Sequence, residues 1–89
     1  MTDRFRRAGW GWLRSSEGWA VRLQGRSNLQ YRDVTGVLHI SAEAMSKPWS
    51  DIVVDTSTIP DTPSLPRARV IERLHRAFDA RGWTFIEAE

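Results

Sequence analysis

The sequence predicts an α+β fold: an antiparallel sheet of about five to six strands, one long C-terminal helix packed on one face, and a final strand after the helix. Three observations carry this. Residues 7–40 alternate apolar and polar side chains in short runs separated by turn residues, the period of half-buried strands. Val70, Ile71, Leu74, Ala77 and Phe78 recur at helical spacing and form one apolar stripe. Between these regions TSTIPDTPSLP at 56–66 holds three prolines and cannot be regular through its length.

In the opening strands, AGWGWLRSSEGWAVRLQG at 8–25 crowds Trp10, Trp12 and Trp19 together. A four-residue turn at 15–18 pairs Trp12 with Val21 and Trp10 with Leu23, which puts all three tryptophans on one apolar face and leaves Arg22 and Gln24 in water. A three-residue loop with a bulge at Gly18 slips the pairing by one residue and sends Trp10 and Trp12 to the opposite face. The first register leaves fewer conflicts and is the one expected. Gly9 and Gly11 then mark close backbone approach.

The GRSN stretch at 25–28 reads as a turn that sets Leu29 and Tyr31 opposite Leu23 and Val21. Thr35-Gly36 follows as a two-residue turn, placing Tyr31 across from Ile40 and Asp33 across from Leu38, with His39 outward. Residues 43–51 contain Pro48 and no sustained period, so a loop or a brief helical turn is expected there. IVVD at 52–55 is a short β-branched strand suited to an inner position. Thr62 or Ser64 is placed to cap the helix, Pro66 to sit in its first turn and Gly82 to end it. Glu72 and Arg76 are spaced to pair along it. WTFIE at 83–87 reads as the last strand, and the helix stripe needs the Trp10, Trp12, Trp19, Val21 and Tyr31 face as its partner.

The chain has 89 residues, enough for one domain over 1–89, with residues 1–6 as an arm that can fray. It has no cysteine, no apolar run near membrane length and no apolar leader, all of which fit a cytoplasmic protein without disulfides or membrane attachment. Twelve arginines and one lysine face eleven acids, but unevenly. Residues 1–34 carry seven positive and three negative charges, and residues 35–63 carry one against four. Such asymmetry makes a dipolar surface able to steer a charged partner.

Catalytic chemistry finds no foothold in these residues. His39 and His75 lie on different elements without ligands at metal spacing, so no metal or cofactor is expected. There is no nucleophile elbow and no Ser-x-x-Lys pair. Asp51, Asp55 and Asp61 suit turn and capping roles. Together with Trp49 and with Glu43 at the rim, they also make an aromatic anchor among carboxylates, which suits binding a basic protein surface. Arg4, Arg6 and Arg7 ahead of Trp10 and Trp12 are the raw material for a different role, single-strand nucleic-acid binding. That role needs the slipped register, with those rings in solvent. Pairing of two copies through an open sheet edge is a third reading, and oligomeric state is left open.

DIVVDTSTIPDTP at 51–63 and ARVIERLHRAFDARGWTFIEAE at 68–89 combine a short apolar strand, a proline-bearing loop, a helix with Val70-Ile71 and Phe78 before Gly82, and a closing Ile86-Glu87-Ala88-Glu89. This pattern resembles the closing half of small bacterial immunity proteins of contact-dependent growth inhibition and polymorphic toxin systems. The resemblance implies a non-enzymatic protein that binds one cognate toxin domain, often a nuclease, in the cytoplasm and blocks its active site or its access to substrate. It carries no catalytic residues over. Because nuclease inhibitors of this kind tend to be acidic and this chain is slightly basic, it implies docking through the acidic middle segment or a toxin that does not act on nucleic acid.

Overall fold

The computed structural model describes residues 3–45 and 50–88. Seven strands form one sheet in chain order: β1 (Phe5–Arg7), β2 (Leu13–Ser15), β3 (Ala20–Gln24), β4 (Asn28–Asp33), β5 (Gly36–Ala44), β6 (Asp51–Val54) and β7 (Thr84–Glu87). The helix α1 (Arg67–Arg81) connects β6 to β7. Neighbours are antiparallel from β1 to β6, whereas β7 runs parallel to β6. The sheet is therefore mixed rather than antiparallel throughout. The cause is the crossover: a helix laid back along the sheet returns the chain to the starting end of β6, and only a parallel strand can follow.

The strand count also exceeds expectation, because residues 7–14 are not one strand. The chain reverses within GWGW, where Gly9–Gly11 form a single 3-10 turn and Ala8 N–H donates to the Trp12 carbonyl at 2.8 Å. Gly11 takes φ +79° with open space around it, so its role is the turn and not close backbone approach. Within the N-terminal arm, Phe5 opens β1 opposite Ser15.

The register of β2 against β3 corrects the expected one. Leu13 pairs with Val21 and Arg14 with Ala20, the arrangement slipped by one residue. Ser15 N–H donates to the Trp19 carbonyl at 2.8 Å across a three-residue loop in which Gly18 sits at φ +93°. Gly18 tips the balance: a bulged turn requires a left-handed residue there, and glycine adopts that conformation without steric cost. Leu13 and Ser15 consequently face the helix, and Trp12 and Trp10 do not.

The pairing of β3 with β4 follows expectation, with Val21 opposite Tyr31 and Leu23 opposite Leu29. The next turn is Val34-Thr35 instead of Thr35-Gly36, so Tyr31 faces Leu38 and Leu29 faces Ile40. Asp33 sets this turn by accepting from Thr35 N–H at 2.8 Å and from the Thr35 hydroxyl at 2.5 Å. A shift of two residues preserves the faces, so Ile40 remains in the core and His39 outside.

Val70, Leu74, Ala77 and Phe78 of α1 are buried against Trp19, Val21, Leu29, Tyr31, Ile40, Ile52 and Val54, in a core that Ile59 from the proline-rich loop completes. Phe5 meets Trp19 edge-on at 5.5 Å, and Phe78 meets Trp83 at 5.4 Å and Phe85 at 5.2 Å. The sheet curls so that both of its ends reach the same helix. Neither Thr62 nor Ser64 caps α1. Asp61 does so from five residues before the cap position, Pro66, accepting from Arg67 N–H at 2.9 Å, while the Thr62 hydroxyl closes its own turn with Leu65 N–H. Gly82 ends the helix in the left-handed conformation, as expected. Among the described residues no helix is long and apolar enough to cross a membrane.

Tyr31 brings a hydroxyl into this core. The Tyr31 hydroxyl donates to Asp33 at 2.7 Å and accepts from Arg73 at 2.6 Å. Burial and the Asp33 hydrogen bond push Tyr31 up to about 12, against a partial opposing pull from Arg73. Its neutral form therefore contributes stability that is full below the ordinary tyrosine value of about 10 and is lost as pH rises through the folded value. Tyr31→Phe is expected to cost about 1–2 kcal/mol in urea unfolding and to flatten the loss of stability between about pH 10 and 12. An unchanged alkaline limb would place that titration elsewhere.

Candidate functional site

With α1 on one face, the opposite face of the sheet has no covering layer among the described residues. Alternation brings onto it Arg6 from β1, Arg14 from β2, Arg22 and Gln24 from β3, Asn28, Gln30 and Arg32 from β4, His39 and Glu43 from β5, and Val53 from β6. The basic first third and acidic middle of the chain thus become two ends of one surface.

At the basic end Trp12 is only 7% exposed, although it faces away from the core. Two guanidinium groups cover it, Arg22 at 4.5 Å and Arg32 at 4.2 Å from the ring centroid. Arg22 also donates through Nε to Gln30 Oε1 at 2.6 Å and through Nη1 to the Trp10 carbonyl at 2.9 Å. It therefore holds the hairpin tip, the Trp12 ring and the centre of the face in one arrangement. Trp10 itself is 89% exposed, with φ +65°, a left-handed conformation uncommon for a bulky residue. A large aromatic ring presented to solvent on a constrained backbone is costly for an isolated protein and useful for one that docks.

Amides carry the pattern across the middle. Gln30 donates to Gln24 Oε1 at 3.1 Å, and His39 Nδ1 lies 3.4 Å from both Gln30 Nε2 and Asn28 Oδ1. At the far end Glu43 and Asp55 line one hollow of about 310 Å³ with Ser27, Ser41, Val53 and Ala88.

Of the sequence-predicted acidic contacts, Glu43 and Asp55 therefore share a wall. Asp51 stands at the other end of β6 from Asp55, and Asp61 is drawn away to the start of α1. Asp55 also accepts from Ser57 N–H at 3.1 Å, closing the 3-10 turn Thr56–Thr58. Trp49 lies outside the described residues. Of the predicted basic set, Arg4 and Arg6 flank a hollow at the sheet edge, and Arg7 neighbours Arg81 near the end of α1, whose guanidinium is shifted down by burial and then by the Arg7 charge. Arg14, Arg22, Arg32 and Gln30 were not singled out as site residues by sequence reasoning. Their signal was present in the polar positions that alternate with Val21, Leu29 and Tyr31, but it becomes a surface only once the Gly18 register is adopted.

Among the described residues, no group of three or more His, Asp or Glu side chains is placed to hold a metal ion. What the arrangement offers chemically is recognition: rigid aromatic and guanidinium groups at one end, and carboxylates beside an apolar strand at the other. Comparison with protein-family models, curated proteins and solved structures gave no match.

Proposed function

We propose that this chain is a non-enzymatic immunity protein that neutralises a cognate bacterial toxin domain in the cytoplasm, and that the uncovered sheet face meets the toxin. The observation that carries this reading is the pre-organised face itself, with Arg22 bridging Trp10, Trp12 and Gln30 while Glu43 and Asp55 share a hollow at the other end. An exposed aromatic ring on a constrained backbone, next to an arginine held by hydrogen bonds and ring stacking, offers the groups that dominate protein interfaces. Carboxylates at the opposite end orient the partner by charge. A standard interface of about 800 Å² per partner would draw on both ends.

Glu43, Asp51 and Asp55 are the contacts to change first, and Trp49, outside the described residues, is the aromatic position to change with them. Asp61 is set aside because its carboxylate is engaged by α1. The toxin encoded immediately upstream is expected to co-purify with this chain, and Glu43→Ala with Asp55→Asn to weaken the complex by roughly ten-fold or more; asparagine keeps an oxygen that accepts from Ser57 N–H, so the melting temperature of the free protein should change little. Unchanged affinity and protection would refute the site, and no complex at micromolar concentration would refute the reading.

One observation favours a second reading, a small nucleic-acid-binding module using Arg4, Arg6, Arg7, Trp10 and Trp12: both rings lie off the core, as that reading requires. Trp12, however, is closed between Arg22 and Arg32, which leaves Trp10 alone to stack on a base. A gel shift at low salt that vanishes at moderate salt supports this reading, and no shift at low ionic strength removes it.

A further inference from the structure

We infer that the β1–β2 edge carries a binding site of its own, for phosphoryl oxyanions, built from Arg4, Arg6 and Arg14. It lies at the opposite end of the sheet from the acidic contacts and does not rest on the immunity reading.

Arg6 and Arg14 are direct cross-strand partners on the same face. Like charges held opposite one another about 5 Å apart destabilise a strand pair, and almost any other residue at either position would relieve this. Beside them is a hollow of about 450 Å³ lined by Arg4, Phe5, Arg6, Arg14, Ser15 and Ser16. Among the described residues none of these three guanidinium groups has a carboxylate within ion-pair distance.

The nearby acids are already engaged. Asp3 accepts from the Ser15 hydroxyl at 2.5 Å and pairs with Arg76 at 3.1 Å, and Glu17 pairs with Arg76 at 3.2 Å. Arg76 of α1 thus draws the local negative charge to the helix side and leaves the edge positive. Arg14 also lines a neighbouring hollow with Arg32 and Asp33.

A carboxylate needs only one guanidinium to satisfy it. A phosphoryl group, with more oxygens and up to two charges, is the anion that several converging guanidinium forks match. Free phosphate compounds and the backbone of a nucleic acid share that chemistry. The strain of the Arg6–Arg14 pair is what the bound anion would relieve, a pattern expected where stability yields to function.

The test uses the full chain at low ionic strength, following the guanidinium N–H resonances of Arg6 and Arg14 by NMR during titration with inorganic pyrophosphate and, separately, with a short oligothymidylate. Saturable shifts at both arginines are expected. Affinity should fall roughly ten-fold or more in Arg6→Gln/Arg14→Gln, whereas Arg69→Gln, an exposed helix position, should leave it nearly unchanged. Tighter binding of the oligonucleotide assigns the site to a nucleic-acid backbone, and equal or tighter binding of pyrophosphate assigns it to small phosphoryl compounds. Arg6→Glu is expected to raise the melting temperature while abolishing binding, because it turns the repulsive pair into an attractive one. The proposal is overturned by the absence of saturable shifts with both probes, by an equal loss in Arg69→Gln, or by a lower melting temperature for Arg6→Glu.

Discussion

Phe78→Ala is expected to remove about 3–5 kcal/mol of folding stability. Phe78 is buried in the last turn of α1 and touches both aromatic rings that follow the helix, Trp83 and Phe85. Its carbonyl accepts from Trp83 N–H at 2.8 Å, so the ring and the helix end are fixed together. Removing the ring opens a cavity where α1 meets β7, and β7 has only β6 to pair with. Against a total of about 5–15 kcal/mol for a domain, such a loss is severe. The urea midpoint should fall with the slope unchanged. Ile71→Ala, on the half-buried margin of the same stripe, should cost clearly less. Equal costs at the two positions would show that α1 is rotated from the orientation described.

Arg76→Ala is the second large expected effect, and it comes from charge and not from volume. Arg76 pairs with Asp3 at 3.1 Å, Glu17 at 3.2 Å and Glu72 at 3.0 Å, joining the N-terminal arm and the β2–β3 loop to the helix. The Asp3 side chain is only 4% exposed, so its carboxylate would be left buried with two serine hydroxyls as partners. Breaking a buried pair costs about 3–5 kcal/mol, and because the Arg76 side chain is itself a third exposed, about 2–3 kcal/mol is the expected loss. Glu72→Ala removes an exposed helix pair and should cost no more than about 0.5 kcal/mol. The guanidinium of Arg76 is shifted further up by its hydrogen bond with Glu17 and stays charged throughout. Similar costs for the two variants, measured by urea unfolding, would show that Asp3 is not desolvated.

Most of the fold was legible because period and punctuation agree. The stripe from Val70 to Phe78, the Gly82 terminus, the inner strand IVVD and the β3–β4 register all follow from spacing that has one solution. Register failed where two solutions bury comparable apolar area. With β2 only three residues long, the pattern WGWL can present Trp12 or Leu13 to the core, and the choice rests on a backbone angle at Gly18. Burial is the usual fate of tryptophan, but two arginines on adjacent strands can bury an indole as well as a core does. The direction of β7 was missed for a different reason: the crossover that makes it parallel is a tertiary arrangement, and WTFIE reads alike in either direction.

The candidate site was half legible. Charge asymmetry along the chain points to a two-ended surface, and Glu43 and Asp55 line the same hollow. Asp61 and Asp55 show why sequence proximity to a loop is a weak guide, since both carboxylates accept from backbone N–H groups and shape the chain locally. The guanidinium groups around Trp12 come from β3 and β4, each separated from it by a hairpin, and no local spacing could have joined them.

The orientation of Trp10 and Trp12, on which the open binding face depends, is tested most directly by the cross-strand α-proton contacts between β2 and β3. Because Ser15 and Trp19 are a hydrogen-bonded pair, Arg14 and Ala20 are the adjacent non-bonded pair, with α carbons about 4.5 Å apart. A strong nuclear Overhauser effect between the Arg14 and Ala20 α protons is the predicted result. Contacts that instead pair Trp12 with Val21 and Trp10 with Leu23 would turn those rings toward the helix and contradict it.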